Sequence, residues 1–176
     1  MMGNIVRLLT TIFMFLLIPL LLSGCPYESR IPISLPAKAM IDKELIGKWK
    51  YVNKEGHTEG MVTISMFNDH ELLIVLKDED KNNSEMLRAF VTSIGKEKFL
   101  NIQEMKGTYE DRTWMFVNYS IANCTLSYRI VDDELIKKNQ KNLSSSKKLY
   151  RFIKGNLSNN NLYGDEEKTD LKCVQE

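Results

Sequence analysis

Three cysteines and two histidines are the residues of this chain with the widest chemical reach. A thiol can be acylated, oxidised or bound to a metal, and each outcome needs its own surroundings. Cys25 directly follows an apolar run and the small residues Ser23 and Gly24, whereas Cys124 and Cys173 stand among strand-like segments. In an oxidising compartment that second pair can form a disulfide; two buried free thiols would serve a core equally well, and only geometry decides between them. His57 and His70 fall in turn-like contexts among Glu, Asp and Asn and match no ligand spacing such as His-Glu-X-X-His, so no metal site is expected. Neither a Gly-X-Ser-X-Gly elbow nor a glycine-rich phosphate loop occurs, and no carboxylate is set apart by its context as a shifted acid or base. The expectation is a protein that is not an enzyme and needs no cofactor. Trp114, Phe116 and Tyr128 are candidates of another kind: at strand spacing, aromatic residues serve either as plain core or as the lining of an apolar cavity.

The first element to be placed is the N-terminal one. Met1 to Arg7 carries one basic residue, and the 15 residues from Leu8 to Leu22 are apolar apart from Thr10 and Thr11. A membrane-spanning helix needs ~20 apolar residues to cross ~30 Å of hydrocarbon, so this run is short for a span and suits an export signal, residues 1–24. Its end, Leu22-Ser23-Gly24-Cys25, resembles the lipobox of bacterial lipoproteins. That resemblance implies that the Cys25 thiol receives a diacylglycerol, that cleavage makes Cys25 the new N-terminus, and that the membrane is a partner through the acylated residue. Several acyl chains hold a protein far more firmly than one, since each buried methylene contributes ~0.8 kcal/mol. Position 26 is Pro, where the lipoprotein class most often carries Asp as its inner-membrane retention signal; the implied location is the outer membrane, facing the periplasm.

Composition bounds what the rest can be. A chain of 176 residues that is 43% hydrophobic and 27% charged fits one globular domain behind a targeting segment. Of the 24 basic residues only Arg7 precedes residue 25, and no Asp or Glu does, so the mature part holds 23 basic against 23 acidic side chains. Such a balance provides no basic stripe to displace counterions from phosphates, which argues against nucleic acid as a partner.

Three of the four prolines, Pro26, Pro32 and Pro36, lie between Cys25 and Lys43, and none follows. Proline lacks a backbone donor, so residues 25–43 suit an extended tether and residues 44–176 suit uninterrupted hydrogen-bonded ladders. From Ile46 the chain breaks into runs rich in β-branched and aromatic residues, predicted as strands at 46–54, 60–67, 71–77, 86–94, 98–105, 113–122, 125–131 and 134–139, with a last one near 169–174. The links between them are short: Lys54 to His57, Asn68 to His70, Gly95 to Glu97, Ala122 to Cys124, and Asp132-Asp133. Such links force antiparallel neighbours and therefore a meander. Val62, Ile64 and Met66 alternate with Thr63 and Ser65, as Leu126, Tyr128 and Ile130 do with Ser127 and Arg129, giving each strand one face to bury. Leu72 to Leu76 is apolar on both faces, which calls for a second cover. A helix after Ser144-Ser145-Ser146, with Leu149, Phe152, Ile153 and Leu157 on one side, can supply it. The charged stretch Lys77 to Glu85 reads as a solvated hairpin loop.

A strand meander, one helix and a closing strand is the order of elements in the lipocalins, and the first strand opens with Ile46-Gly47-Lys48-Trp49, which resembles their Gly-X-Trp motif. The resemblance implies an all-β, up-and-down antiparallel barrel of eight to nine strands with one C-terminal helix. In it Gly47 turns the chain into the first strand and Trp49 closes one end. Eight-stranded barrels are wide enough for one small ligand. Three functional readings follow: a carrier of a small apolar or amphiphilic molecule, a filled barrel that docks an envelope protein partner, or an inhibitor acting through the Lys77–Glu85 loop.

Overall fold

Short proline-free strands, each with one apolar face and joined by turns too tight for a crossover, must curl until the apolar faces meet. In the computed structural model they do so completely. The structure describes residues 28–52, 57–78, 84–139, 143–163 and 168–174. Eight strands, β1 (Gly47–Val52), β2 (Thr58–Met66), β3 (Leu72–Asp78), β4 (Ser84–Ile94), β5 (Glu97–Glu104), β6 (Trp114–Ala122), β7 (Thr125–Ile130) and β8 (Thr169–Cys173), form a closed antiparallel barrel in sequence order. β8 completes it by pairing with β7 and β1, with Trp49 opposite Cys173 and Leu126 opposite Leu171. All-β, up-and-down and closed, with a C-terminal helix, this architecture is consistent with a calycin-like fold.

Two segments differ from the sequence expectation. Residues 134–139 are not a strand; Asp133–Lys137 forms a short helix, α1. Leu135 and Ile136 are adjacent rather than alternating, and a helical turn lets both pack against the same outer cluster, where Ile136 is fully buried. The main helix, α2 (Ser146–Gly155), therefore lies between the seventh and eighth strands, and no ninth strand is needed. Its start is as anticipated: Ser145 is the N-cap and its hydroxyl accepts from the Lys148 amide. Leu149 and Ile153 are buried, with Phe152 and Leu157 packed beside them.

The wall separates two apolar clusters. The inner one lines the barrel with Leu45, Trp49, Ile64, Leu72, Ile74, Leu87, Leu100, Val117, Leu126 and Leu171. The outer one lies between α2 and the outside of β4, β5 and β6, where Phe90, Ile94, Phe99, Trp114 and Phe116 meet Leu149 and Ile153. The helix thus covers β4–β6, not the outer side of β3, where Leu73 and Val75 remain half-buried.

Residues 28–43 run without regular strand structure, with a 3-10 turn over Pro36–Lys38, and they are packed on the barrel. The segment runs along the outer wall as a strap. It starts at one rim, where Ser29 and Trp114 exchange both backbone hydrogen bonds (2.8 and 2.6 Å) and Thr113 Oγ1 donates to Glu28 (3.0 Å). Midway, fully buried Asn101 accepts from the Ile33 amide (2.8 Å) and donates to Thr92 (2.8 Å), whose hydroxyl also bonds Ser34 (2.6 Å). At the far rim His70 Nδ1 donates to the Ala39 carbonyl (2.8 Å), and Asp42 caps a 3-10 turn over Lys43–Leu45 that leads into β1. Ile33 and Ala39 insert into the outer cluster. The strap buries Ile33 and Ala39, one on each side of Pro36, and that burial holds it down.

Candidate ligand-binding site

The two ends of the barrel are built differently. At the end where β1 begins, the links are tight: Gly95-Lys96, and the two-residue turn Asn123-Cys124, both of whose residues have positive φ (49° and 59°). This is the twist that joins a β-hairpin most directly. The end is filled by Leu45, Trp49, Leu72, Ala89 and Val91, and the Trp49 indole N–H donates to the Leu45 carbonyl (2.9 Å). Gly47, at φ 148°, makes the bend into β1. Gly47 therefore stands where the chain turns into β1, and Trp49 is buried in the core of this end. The same end carries a disulfide between Cys124 and Cys173, whose Cα atoms are 5.2 Å apart, so the pairing that sequence left open is formed.

Beneath that plug, Asp42 accepts from Lys98 Nζ (2.7 Å), from Tyr119 Oη (2.8 Å) and from the Glu44 amide (3.3 Å). Burial alone would raise its carboxyl, but the Lys98 and Tyr119 hydrogen bonds outweigh that and hold it below the ordinary carboxylate range. Tyr119 is pushed well above the ordinary phenol value, first by burial and then by the carboxylate it donates to.

Above the plug the barrel is hollow. A cavity of about 280 Å³ is lined by Val62, Ile64, Ile74, Leu76, Leu87, Leu100, Ile102, Met115, Val117, Leu126, Ile130 and Leu171, with Tyr51, Tyr119 and Tyr128 as its aromatic members. Alternation explains the selection: β5 sends Leu100 and Ile102 inward, and their register partners Val117 and Met115 on β6 do likewise. Leu76, Leu87, Ile102 and Met115 also line a second space of about 350 Å³ at the mouth, whose other walls are Glu28, Glu85, Glu104, Lys106, Asp111, Arg112 and Thr113. Apolar depth therefore gives way to a charged vestibule. Arg112 shapes one side of it by donating to the Met105 carbonyl (2.9 Å), and Lys106 pairs with Glu85 (3.4 Å).

Of the three aromatic residues considered as lining, only Tyr128 faces the cavity. Trp114 and Phe116 have the opposite parity on β6 and lie outside the barrel, with Trp114 set edge-on to Phe90 (5.3 Å) and beneath the Arg88 guanidinium (4.9 Å). The reason is that residues 114–117, Trp-Met-Phe-Val, are apolar on both faces, so composition alone does not choose the inner one. A signal was present nevertheless: Asn118, on the parity of Trp114 and Phe116, pairs with Phe99 on the outer side of β5, where Asn101 and Gln103 also lie. Buried polar groups need hydrogen-bond partners, and Asn101 finds one in the strap, the Ile33 amide, and two on β4, the Phe90 carbonyl and the Thr92 hydroxyl.

Cys25, Leu22, Ser23 and Gly24 lie outside the described residues, as do 53–56 of the first hairpin turn and 79–83 of the Lys77–Glu85 stretch. No group of three or more His, Cys, Asp or Glu side chains that could hold a metal ion occurs among the described residues, and none of their helices is long and apolar enough to cross a membrane. Compared with protein-family models, curated proteins and solved structures, the chain matches none of them.

Proposed function

We propose that the protein is an envelope lipoprotein, anchored through Cys25, whose barrel takes up the apolar part of a small amphiphile such as a fatty acid or lipid. The observation that carries this reading is the hollow interior: about 280 Å³ lined by aliphatic and aromatic side chains, sharing four of its lining residues with a charged mouth. The volume stands at the lower end of the range for small-molecule sites, about 300 to 1,000 Å³. If a methylene displaces about the volume of a water, ~30 Å³, the cavity accepts about nine of them. A single acyl chain fits this description, with its polar head left in the vestibule. The oxidised Cys124–Cys173 pair favours a location outside the cytoplasm, which agrees with the lipobox.

Both apolar clusters of the described residues are built from Ile31 to Cys173, so the chain from Glu28 onward is the one to assay. Mass spectrometry of that chain, native and after denaturing extraction, tests the reading. A stoichiometric co-purified amphiphile is expected. No such molecule, together with no uptake of a fluorescent fatty acid, would overturn it in favour of an envelope protein partner. A specificity control follows from the lining: Val117→Trp places an indole in the hollow and is expected to lower uptake at least tenfold while the barrel stays folded by circular dichroism.

A further inference from the structure

We infer that the anchor holds the barrel with its mouth against the bilayer, so that the cavity exchanges acyl chains with the membrane directly. This rests on the carrier reading above and on acylation of Cys25. The strap carries the argument. It enters the described structure at the open rim: Glu28 is itself a wall of the vestibule, hydrogen-bonded to Thr113, and the next residue, Ser29, is fastened to Trp114, the first residue of β6. Cys25 precedes Glu28 by three residues, and a fully extended chain spans at most ~3.6 Å per residue, so their Cα atoms are at most ~11 Å apart. The closed end lies much farther away. β2 alone has nine residues, which at ~3.3 Å each and a tilt of ~40° is a wall roughly 23 Å high. Acyl chains attached at Cys25 therefore bring the mouth, and not the plug, to the lipid surface.

The charge of the rim makes the leash necessary. Among the described residues the vestibule holds four acids, Glu28, Glu85, Glu104 and Asp111, against two bases, Lys106 and Arg112. Such a rim has no attraction of its own for an anionic leaflet, and screening limits its field to ~8 Å at physiological salt. With a few residues as leash, the mouth samples the surface at high effective concentration; with a long flexible one, that advantage disperses. An acyl chain passing from bilayer to cavity in this arrangement moves between two apolar media, with its head left among charges of both signs.

The test uses the full acylated protein in vesicles of phosphatidylethanolamine and phosphatidylglycerol. A benzophenone amino acid is placed at position 110, in the β5–β6 loop of the open end, or at position 96, in the β4–β5 turn of the closed end; Glu110 and Lys96 are both exposed. Lipid adducts at 110 are expected to exceed those at 96 at least tenfold. Inserting twenty Gly/Ser residues between Tyr27 and Glu28, which spaces the barrel from the surface by ~25 Å on average, is expected to abolish that ratio. Equal labelling at the two ends, or a ratio that survives the insertion, would overturn the inference even where the anchor-free chain binds amphiphiles. A third probe at Met115, inside the cavity, separates the occupants. An adduct with phospholipid or free fatty acid supports exchange with the bilayer, whereas an adduct with the protein's own Cys25 lipid overturns it. Failure of the anchor-free chain to bind any amphiphile would instead remove the carrier reading beneath it.

Discussion

At the scale of single residues, Asp42 links more of the molecule than any sequence pattern suggested. It belongs to no motif, and its partners Lys98 and Tyr119 stand 56 and 77 positions away, so only the closed barrel brings them together. Its carboxyl is held below its ordinary range, so its stabilisation is fully present above the unfolded-state value near 4 and is lost as pH falls through the lower folded value. Tyr119 works with the opposite sign: its raised folded value means a contribution present below about pH 10 and lost progressively as the unfolded phenol ionises above it. Asp42→Asn keeps the shape and removes the charge. Hydrogen bonds to a charged group are worth about 1.5 to 3 kcal/mol, and burial here is incomplete, so a loss of about 2 kcal/mol at pH 7 is expected. In thermal unfolding this is a fall in Tm of about 4 to 8 °C, with a smaller decline below pH 4 than the parent shows. An unchanged Tm at pH 7 would mean that the strap's end is held by Ala39 and Leu45 alone.

At the scale of elements, what was legible in the sequence followed from local rules, and what was not depended on closure. Strand limits came within a few residues because turn chemistry at Gly95-Lys96 and Asn123-Cys124 is local, and alternation in β2 and β7 named the inner faces, Val62 and Ile64, Leu126 and Tyr128. β6 defeated the same reasoning, since with a second core outside the wall both of its faces are apolar. The packing of residues 28–43 on the wall is not legible in sequence for a related reason: Ile33 and Ala39 have no strand partners of their own, and their burial depends on the floor provided by β4 and β5. The pairing of Cys124 with Cys173 is likewise open until the β7–β8 ladder, with Thr125 opposite Lys172, places the end of the last strand beside the Asn123-Cys124 turn. That bridge closes a loop across a sequence separation of 49. The chain-entropy relation gives about 4 kcal/mol for a loop of this size, and measured values run about 2 to 4. The double variant Cys124→Ser, Cys173→Ser is accordingly expected to lose unfolding free energy of that size, read as a lower urea midpoint, with a steeper slope because the unlinked denatured chain exposes more surface. No shift would show that the β1–β8 ladder and the Trp49 plug hold the closed end unaided.

For the whole molecule, the division of labour along the chain makes anchoring and folding separable. Among the described residues the inner cluster surrounds the cavity and the outer one lies under α2 and the strap, all of it after Glu28. The apolar run and the cysteine that would carry lipid lie before it. One acyl chain gives only marginal, reversible membrane binding, whereas two or more give stable attachment. Removing the acylated residue should therefore act as a switch on location and leave the barrel intact. Cys25→Ala is expected to abolish labelling by a fatty-acid probe in cells. The same change in the purified chain should leave Tm within about 1 °C and amphiphile uptake within twofold of the parent, because both apolar clusters of the described residues are built after Glu28. Labelling that persists in Cys25→Ala would overturn the lipobox assignment, and with it the short leash at the mouth, while the hollow barrel and its binding assay would stand. Labelling lost together with a large fall in Tm would show instead that the residues before Glu28 take part in folding the barrel, against the separation that the two clusters describe.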